Sequence, residues 1–417
     1  MTDSAPDFSM RSVALAAFLP AALFAIGEGA IIPIIPVVAS GLGASLPFAA
    51  FVAALILVGE LIGDIPSGWL VSRVGERSSM IGASLVSIGG LVTCLLAPNE
   101  VVLAIGVLVI GLATAVFALA RHAFMTSFVP VAIRARALSS LGGVFRLGYF
   151  VGPFLSAGVI ELTGSVQSAF VVHIVGCLGA AVSLLVLRDP AAAFGERPAA
   201  RRASDEPDLV ALERQGLFAT LWRHRGVLVK LGSGAALIGA MRSGRQVMLP
   251  LWAVSIGLGA SETAIIIGVA GAADFALFYT SGQIMDRFGR LWSAVPCMVG
   301  LGVSYLALSL THDLDARVGW FVAVAVFMSL ANGVGSGILM TLGADLADER
   351  DPAPFLGAWR FTGDAGSAGA PLLISAVTAL VSISVASGVM GVLGLIGAAI
   401  LVRYVPRYSP HVPRSQR

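Results

Sequence analysis

Twelve apolar stretches run through this chain, each long enough to cross a bilayer as a helix, which takes roughly 20 residues. They fall at roughly 12–40, 47–71, 78–97, 101–128, 138–162, 167–187, 227–256, 262–285, 291–310, 319–347, 354–380 and 383–402. Gly and Pro recur inside them and strict alternation is missing, so they read as helices rather than barrel strands. The first run is too long for a signal peptide, holds Pro33 and Pro36, and meets no small-residue cleavage site before further spans follow. With 57% hydrophobic and 12% charged residues in 417, the chain is no ordinary soluble enzyme. A net charge of +2 gives no field to hold nucleic acid. Cys94, Cys177 and Cys297 are scattered through apolar runs, with neither disulfide nor metal-ligand spacing. No phosphate-binding loop follows a strand, so ATP does not drive it. The expectation is an all-α membrane protein without enzymatic activity, cofactor or metal.

Orientation follows from the basic residues, of which there are 26. With both termini in the cytoplasm, Arg11, Arg73, Arg77, Arg134, Arg136, Arg287, Arg290, Arg350 and the groups at Arg188–Lys230 and Arg403–Arg417 all lie inside. Arg317 alone lies outside, and Arg121, Arg146, Arg242, Arg245 and Arg360 fall within spans. The expected location is a bacterial cytoplasmic membrane. The longest hydrophilic stretch, 188–226, mixes Pro, Ala and both charge signs and reads as a solvated linker, with room for a short amphipathic helix near Leu209–Leu221. It separates an N-terminal six-helix bundle (1–187) from a C-terminal one (227–417).

The halves repeat. Gly41-Leu42-Gly43-Ala44-Ser45 follows the first span and Gly257-Leu258-Gly259-Ala260-Ser261 the seventh, 216 residues on. Gly68-Trp69-Leu70-Val71-Ser72-Arg73-Val74-Gly75-Glu76-Arg77 ends the second span and Gly282-Gln283-Ile284-Met285-Asp286-Arg287-Phe288-Gly289-Arg290 the eighth, 214 residues on. Pro153 matches Pro371 at 218. Parallel repeats of this kind place a substrate site near the midplane, between the halves.

The Gly-x-x-x-Asp-Arg-x-Gly-Arg pattern at Gly282–Arg290 resembles the cytoplasmic loop signature of the major facilitator superfamily, and its counterpart at Gly68–Arg77 sits between spans two and three, as that family requires. Gly148-x-x-x-Gly152-Pro153 resembles the antiporter-associated motif of the family's proton-coupled multidrug exporters. Two positions depart from the pattern: Ser72 stands where the loop usually has Asp, and Val107 precedes Gly111 where the fourth-span motif usually has Arg. The resemblance implies twelve helices in two pseudo-symmetric bundles that alternate access to a central cavity lined by spans one and seven. In the loop, Gly68 and Gly282 are expected to let helices approach closely. Arg73, Arg77, Arg287 and Arg290, with Asp286, are expected either to gate the inner face through ion pairs or simply to set topology.

Ten charged residues lie within spans away from their ends: Glu28, Glu60, Asp64, Arg121, Arg146, Arg242, Arg245, Asp274, Arg360 and Asp364. Each costs a few kilocalories unless paired or wetted. Glu28 stands mid-span, just before the Pro33–Pro36 segment. A carboxyl in an apolar cavity can bind and release a proton. The alternative is a fixed salt bridge to Arg242 or Arg245 in the seventh span, where Gly244 would be the counterpart of position 28. Arg121 reads as a partner for Asp64 or Glu60. Arg146 and Asp364 are repeat mates, and Arg360–Asp364 forms an i,i+4 pair. Asn332, beside Gly333, Gly335 and Gly337, reads as part of a small-surfaced, tightly packed span ten. His173 reads as a packed core residue.

Three functions remain open. The first is proton-driven export of a small amphipathic compound, with Glu28, Asp64 and Asp364 in coupling and Gly148–Pro153 keeping the closed state tight. The second is uptake or exchange of an anionic metabolite or lipid on Arg146, Arg242, Arg245 and Arg360, with Asn332 in the same cavity. The third is a non-transporting receptor or assembly subunit. The expected partners are a small solute, protons and the bilayer, for a monomer.

Overall fold

The computed structural model describes residues 10–128, 131–187, 217–347 and 353–408, which are almost wholly helical. Helix α1 (Met10–Ile31) and the short α2 (Ile35–Gly41) form the first span. Then come α3 (Leu46–Val74), α4 (Glu76–Leu95), α5 (Glu100–Phe128), α6 (Val131–Thr163) and α7 (Ala169–Val186). A short α8 (Leu217–Arg223) precedes α9 (Ser233–Ser255), α10 (Ala260–Phe288) and α11 (Leu291–Thr311). The tenth span is split into α12 (Arg317–Val334) and α13 (Ile338–Leu346), and α14 (Ala353–Leu380) and α15 (Ile383–Tyr408) complete the set. Residues 188–216, which include most of the expected amphipathic segment near Leu209–Leu221, lie outside the described residues.

Ten of these spans are long and apolar enough to cross a bilayer on length and composition alone. The other two, α9 and α14, carry Arg242 with Arg245 and Arg360 with Asp364, which dilute their apolar character. Lipid is the solvent for the outer faces, so large apolar side chains stay uncovered there. Val175, Val182 and Leu185, for example, line one side of α7. The chain divides into two compact units, Met1–Ile31 with Val58–Arg214, and Ile32–Leu57 with Gln215–Arg417. The division enters the first span where α1 stops, at Ile32–Ile34. Pro33 lies in that break and has no N–H to continue the ladder, and Pro36 occupies the first turn of α2.

Packing partners repeat between the units. In one, α1 lies on α6 and α4 on α7; in the other, α9 lies on α14 and α11 on α15. The turns give the register of the repeat. Ala44 N–H donates to the Ala39 carbonyl at 3.0 Å, and Leu258 N–H to the Ala253 carbonyl at 2.9 Å. Gly43 and Gly257 sit in these turns at φ +96° and +81°, and Gly75 and Gly289 end α3 and α10 at +91° and +96°. Both differences, 257 − 43 and 289 − 75, equal 214. The identical Gly-Leu-Gly-Ala-Ser strings, 216 apart, are therefore out of register by two residues. At the structural register Arg242, not Gly244, corresponds to Glu28, and Asp274 corresponds to Glu60.

Close helix approach occurs elsewhere than expected. A methyl built at Gly68 or Gly282 meets no atom within 4 Å, so these two loop glycines are not sites of tight packing. The constraint in that loop lies at Gly75 and Gly289, whose positive φ disfavours any side chain. Tight packing is found at Gly148 and Gly152 of α6, where a methyl would overlap the α1 backbone at Ala25 and at Ile26–Ala30. Ser156 Oγ, one turn further along, donates to the Ala30 carbonyl at 2.6 Å. Overpacking such a contact costs about 1–3 kcal/mol. Gly152→Val is therefore expected to lower the thermal midpoint of the purified protein by several degrees, while Gly68→Ala and Gly282→Ala leave it within about a degree. Equal losses at all three positions would contradict this packing.

Candidate functional site

Two clusters of polar side chains form inside the apolar helices, one in each unit. The first is built on Glu28, one turn before the end of α1 and only 3% exposed. Its carboxylate accepts a hydrogen bond from the Tyr149 hydroxyl of α6 and feels the positive charge of Arg121 on α5. Glu60 of α3 acts electrostatically on the same tyrosine. The glycine contact explains the placement: with Gly148 against Ala25, the next residue of α6 is brought to Glu28. The Arg121 guanidinium lies 3.8 Å from the centroid of the Phe145 ring, a cation–π contact that holds it between helices. Phe24, one turn before Glu28, stacks on Phe117 at 4.0 Å and gives the cluster an apolar floor. His173 packs edge-on to Phe24 at 5.0 Å and is fully buried.

The second cluster surrounds the break in span ten. Gly337 has φ +78° and the helix is interrupted at Gly335–Gly337. An interrupted helix frees carbonyl oxygens, which lipid cannot satisfy. Side chains from three helices take them up. Ser293 Oγ donates to Val334 O at 2.6 Å, Arg242 Nη2 to Gly335 O at 2.5 Å, and Ser281 Oγ to Ser336 O at 2.6 Å. One turn along α9, Arg245 pairs with Asp274 of α10 at 3.4 Å and donates to Ser329 Oγ at 2.7 Å. Asn332 Nδ2 donates to the same Asp274 carboxylate at 2.7 Å. Asn332 thus belongs to a polar network next to a helix break, and the neighbouring Gly333 and Gly335 are tightly packed as expected, a methyl there overlapping Leu277 and Cys297.

The remaining expected site residues fall as follows. Asp364 pairs with Arg360 at 3.4 Å on the half-exposed face of α14. Asp64 is exposed on α3, and Arg146 is half-buried on α6. At the loop, Arg77 caps the end of α7, donating to the carbonyls of Leu184 and Leu187. Arg73 lies 4.8 Å from the centroid of the Trp69 ring, and Ser72 Oγ donates to Trp69 O at 2.9 Å. Arg287 lies 5.3 Å from the Phe288 ring centroid. Arg290 grips Asp345 with two bonds of 2.8 and 3.2 Å and stands 3.8 Å from Asp286. The Asp345 hydrogen bond holds the Arg290 guanidinium above its usual pKa range. Asp345, which lies outside the loop motif, is thus a loop partner that the motif does not announce. Tyr149 was also missed. Its one signal was its position beside Gly148, inside a motif whose glycines demand a close neighbour.

The chain matches the Major Facilitator Superfamily over residues 17–371 and again over 231–417. It is 25% identical over 153 residues to a galactose-proton symporter of Escherichia coli (strain K12), covering 37% of this chain and 33% of that one. It is 27% identical over 148 residues to a gallate transporter of Pseudomonas putida, covering 34% and 32%. The aligned region thus spans about a third of the length of these curated relatives. Among solved structures, a POT family transporter in complex with a thioalcohol-conjugated peptide superposes with a TM-score of 0.76 at 13% identity, covering 96% of this chain and 97% of that one. A D-xylose-proton symporter gives 0.75 at 15% identity, covering 97% and 99%. At these identities the superpositions speak for the fold alone: all-α, with twelve transmembrane helices. By its match to the family model over most of its length, this chain belongs to the Major Facilitator Superfamily and is a multi-pass membrane protein.

Proposed function

We propose that this secondary transporter takes up a small organic anion together with protons, by alternating access. The observation that carries the proton half is Glu28, a carboxyl sunk in an apolar helix, held by Tyr149 and facing Arg121. Intramembrane acids are costly and mark proton or ion pathways. A carboxylate with one hydroxyl and one nearby cation can exchange its proton as its surroundings change. The observation that supports the anion is Arg242. Among the described residues its donors meet the Gly335 carbonyl and the Cys297 side chain rather than a carboxylate. Arg245 and Arg360, by contrast, are each paired with an aspartate.

The relatives named for galactose-proton symport and gallate transport support uptake with protons over the drug export expected from the Gly148–Pro153 motif. Those glycines have a sufficient reason in the α1–α6 packing that places Tyr149. A neutral sugar is the second reading, favoured by the galactose relative. We place the termini and the Arg73–Arg77 and Arg287–Arg290 loops on the cytoplasmic side, in keeping with the distribution of basic residues.

In proteoliposomes with an inwardly directed proton gradient, labelled gallate is expected to accumulate and labelled galactose is not. Accumulation of galactose alone would establish the sugar reading instead. In the same vesicles Glu28→Gln is expected to lose gradient-driven accumulation by at least tenfold while retaining gradient-free exchange. Undiminished accumulation in that variant would remove Glu28 from the coupling path.

A further inference from the structure

The span-ten cluster carries more buried polar capacity than its own bonds use. Arg242 Nε, Arg245 Nε, Asn332 Oδ1 and Ser336 Oγ are all buried, and none has a hydrogen-bond partner. Asn332 and Ser336 are 5% and 2% exposed. Such atoms are costly in a protein interior, more so within a membrane, and their gathering at one helix break calls for a ligand chemistry. Their types define it. A guanidinium Nε offers a donor, the amide Oδ1 only accepts, and a serine hydroxyl does either. The orientation of Asn332 is set by its Nδ2 bond to Asp274, which leaves Oδ1 as the free end.

Charge gives the second constraint. Among the described residues the cluster holds two guanidiniums against the single carboxylate of Asp274. Arg245 is neutralised by Asp274, so Arg242 leaves one net positive charge. The Gly335 carbonyl holds Arg242 by Nη2 and Cys297 is a second hydrogen-bond partner, which fixes the guanidinium plane and leaves Nε as the donor open to an anion's oxygen.

We propose that the break at Gly335–Gly337 is a subsite for a hydroxylated carboxylic acid. Arg242 takes the ligand's carboxylate, while Asn332 Oδ1 and Ser336 Oγ take a hydroxyl of the same molecule. This rests on the anion-uptake reading and narrows it to a substrate class. A site with buried acceptors rejects an analogue that lacks the matching donor, because those acceptors are then left unpaired.

The test measures thermal stabilisation of the purified full-length protein without any proton gradient, so it stands apart from transport. The probes are 4-hydroxybenzoate against benzoate, lactate against propionate, and methyl 4-hydroxybenzoate as a probe without the anion. In at least one pair the hydroxy acid is expected to act at a concentration at least tenfold lower than its deoxy partner, and the ester is expected to be inert. Arg242→Gln is expected to abolish both responses. Asn332→Leu is expected to level the pair while keeping the carboxylate response. Ser336→Ala, which removes no existing bond of the side-chain hydroxyl, keeps the fold and is expected to shrink the preference at least threefold. Equal responses to both members of each pair, or a preference untouched by Asn332→Leu and Ser336→Ala, would overturn the subsite and leave anion uptake standing. Silence from every carboxylate would overturn the subsite and the anion reading together.

Discussion

Inside a bilayer no water stands by to accept a hydrogen bond that the protein fails to make. Every freed carbonyl and every charge must therefore find its partner within the chain, and the architecture bends to that need. Where span ten opens at Gly335–Gly337, three helices send Ser293, Arg242 and Ser281 to its carbonyls. Where Glu28 enters the oil, Tyr149 and Arg121 come from α6 and α5 to meet it. A charge at the centre of a spanning helix costs about 2.5–3.5 kcal/mol on insertion scales. Partners reduce that cost, and what they leave unmatched is available for a solute.

The same need accounts for the glycines. Tyr149 reaches Glu28 because α6 lies against α1 without side chains between them at Gly148 and Gly152. A motif that by resemblance pointed to antiport has a structural reason in this contact, which places the Tyr149 hydroxyl on the Glu28 carboxylate. The loop between α10 and α11 follows another rule. There Gly289 turns the chain at positive φ, and Arg290 ties the turn to Asp345 at the end of α13. Arg77 performs a different task in the first repeat, capping α7, so the two loops are alike in backbone and unlike in their bonds.

The spans were legible in the sequence because length and apolarity are local properties. The twelve runs and the helices agree to within a few residues at most ends. The break at Pro33 was legible too, since proline announces its missing donor. The break at Gly335–Gly337 was not, because small residues serve tight packing as readily as a turn, and only the side chains gathered round it reveal which. The pairings were least legible. A bridge from Glu28 to Arg242 or Arg245 was the alternative to proton exchange, and neither the Tyr149 and Arg121 partners of Glu28 nor the Gly335 and Asp274 partners of the two arginines could be read from the sequence. A shift of two residues in the repeat register hid the correspondence of Glu28 with Arg242. Identical five-residue strings outweighed the turn geometry that alone fixes equivalence.

In the proposed reading Glu28 and Arg242, at equivalent positions of the two repeats, divide the labour of a coupled cycle: one would hold the proton, the other the anion. The most direct check is an infrared pH titration of the detergent-purified protein, following the carbonyl stretch of protonated carboxyl groups. The account predicts a protonated-carboxyl band that fades as pH rises and is missing from Glu28→Gln. A titrating band of unchanged size in that variant would contradict it.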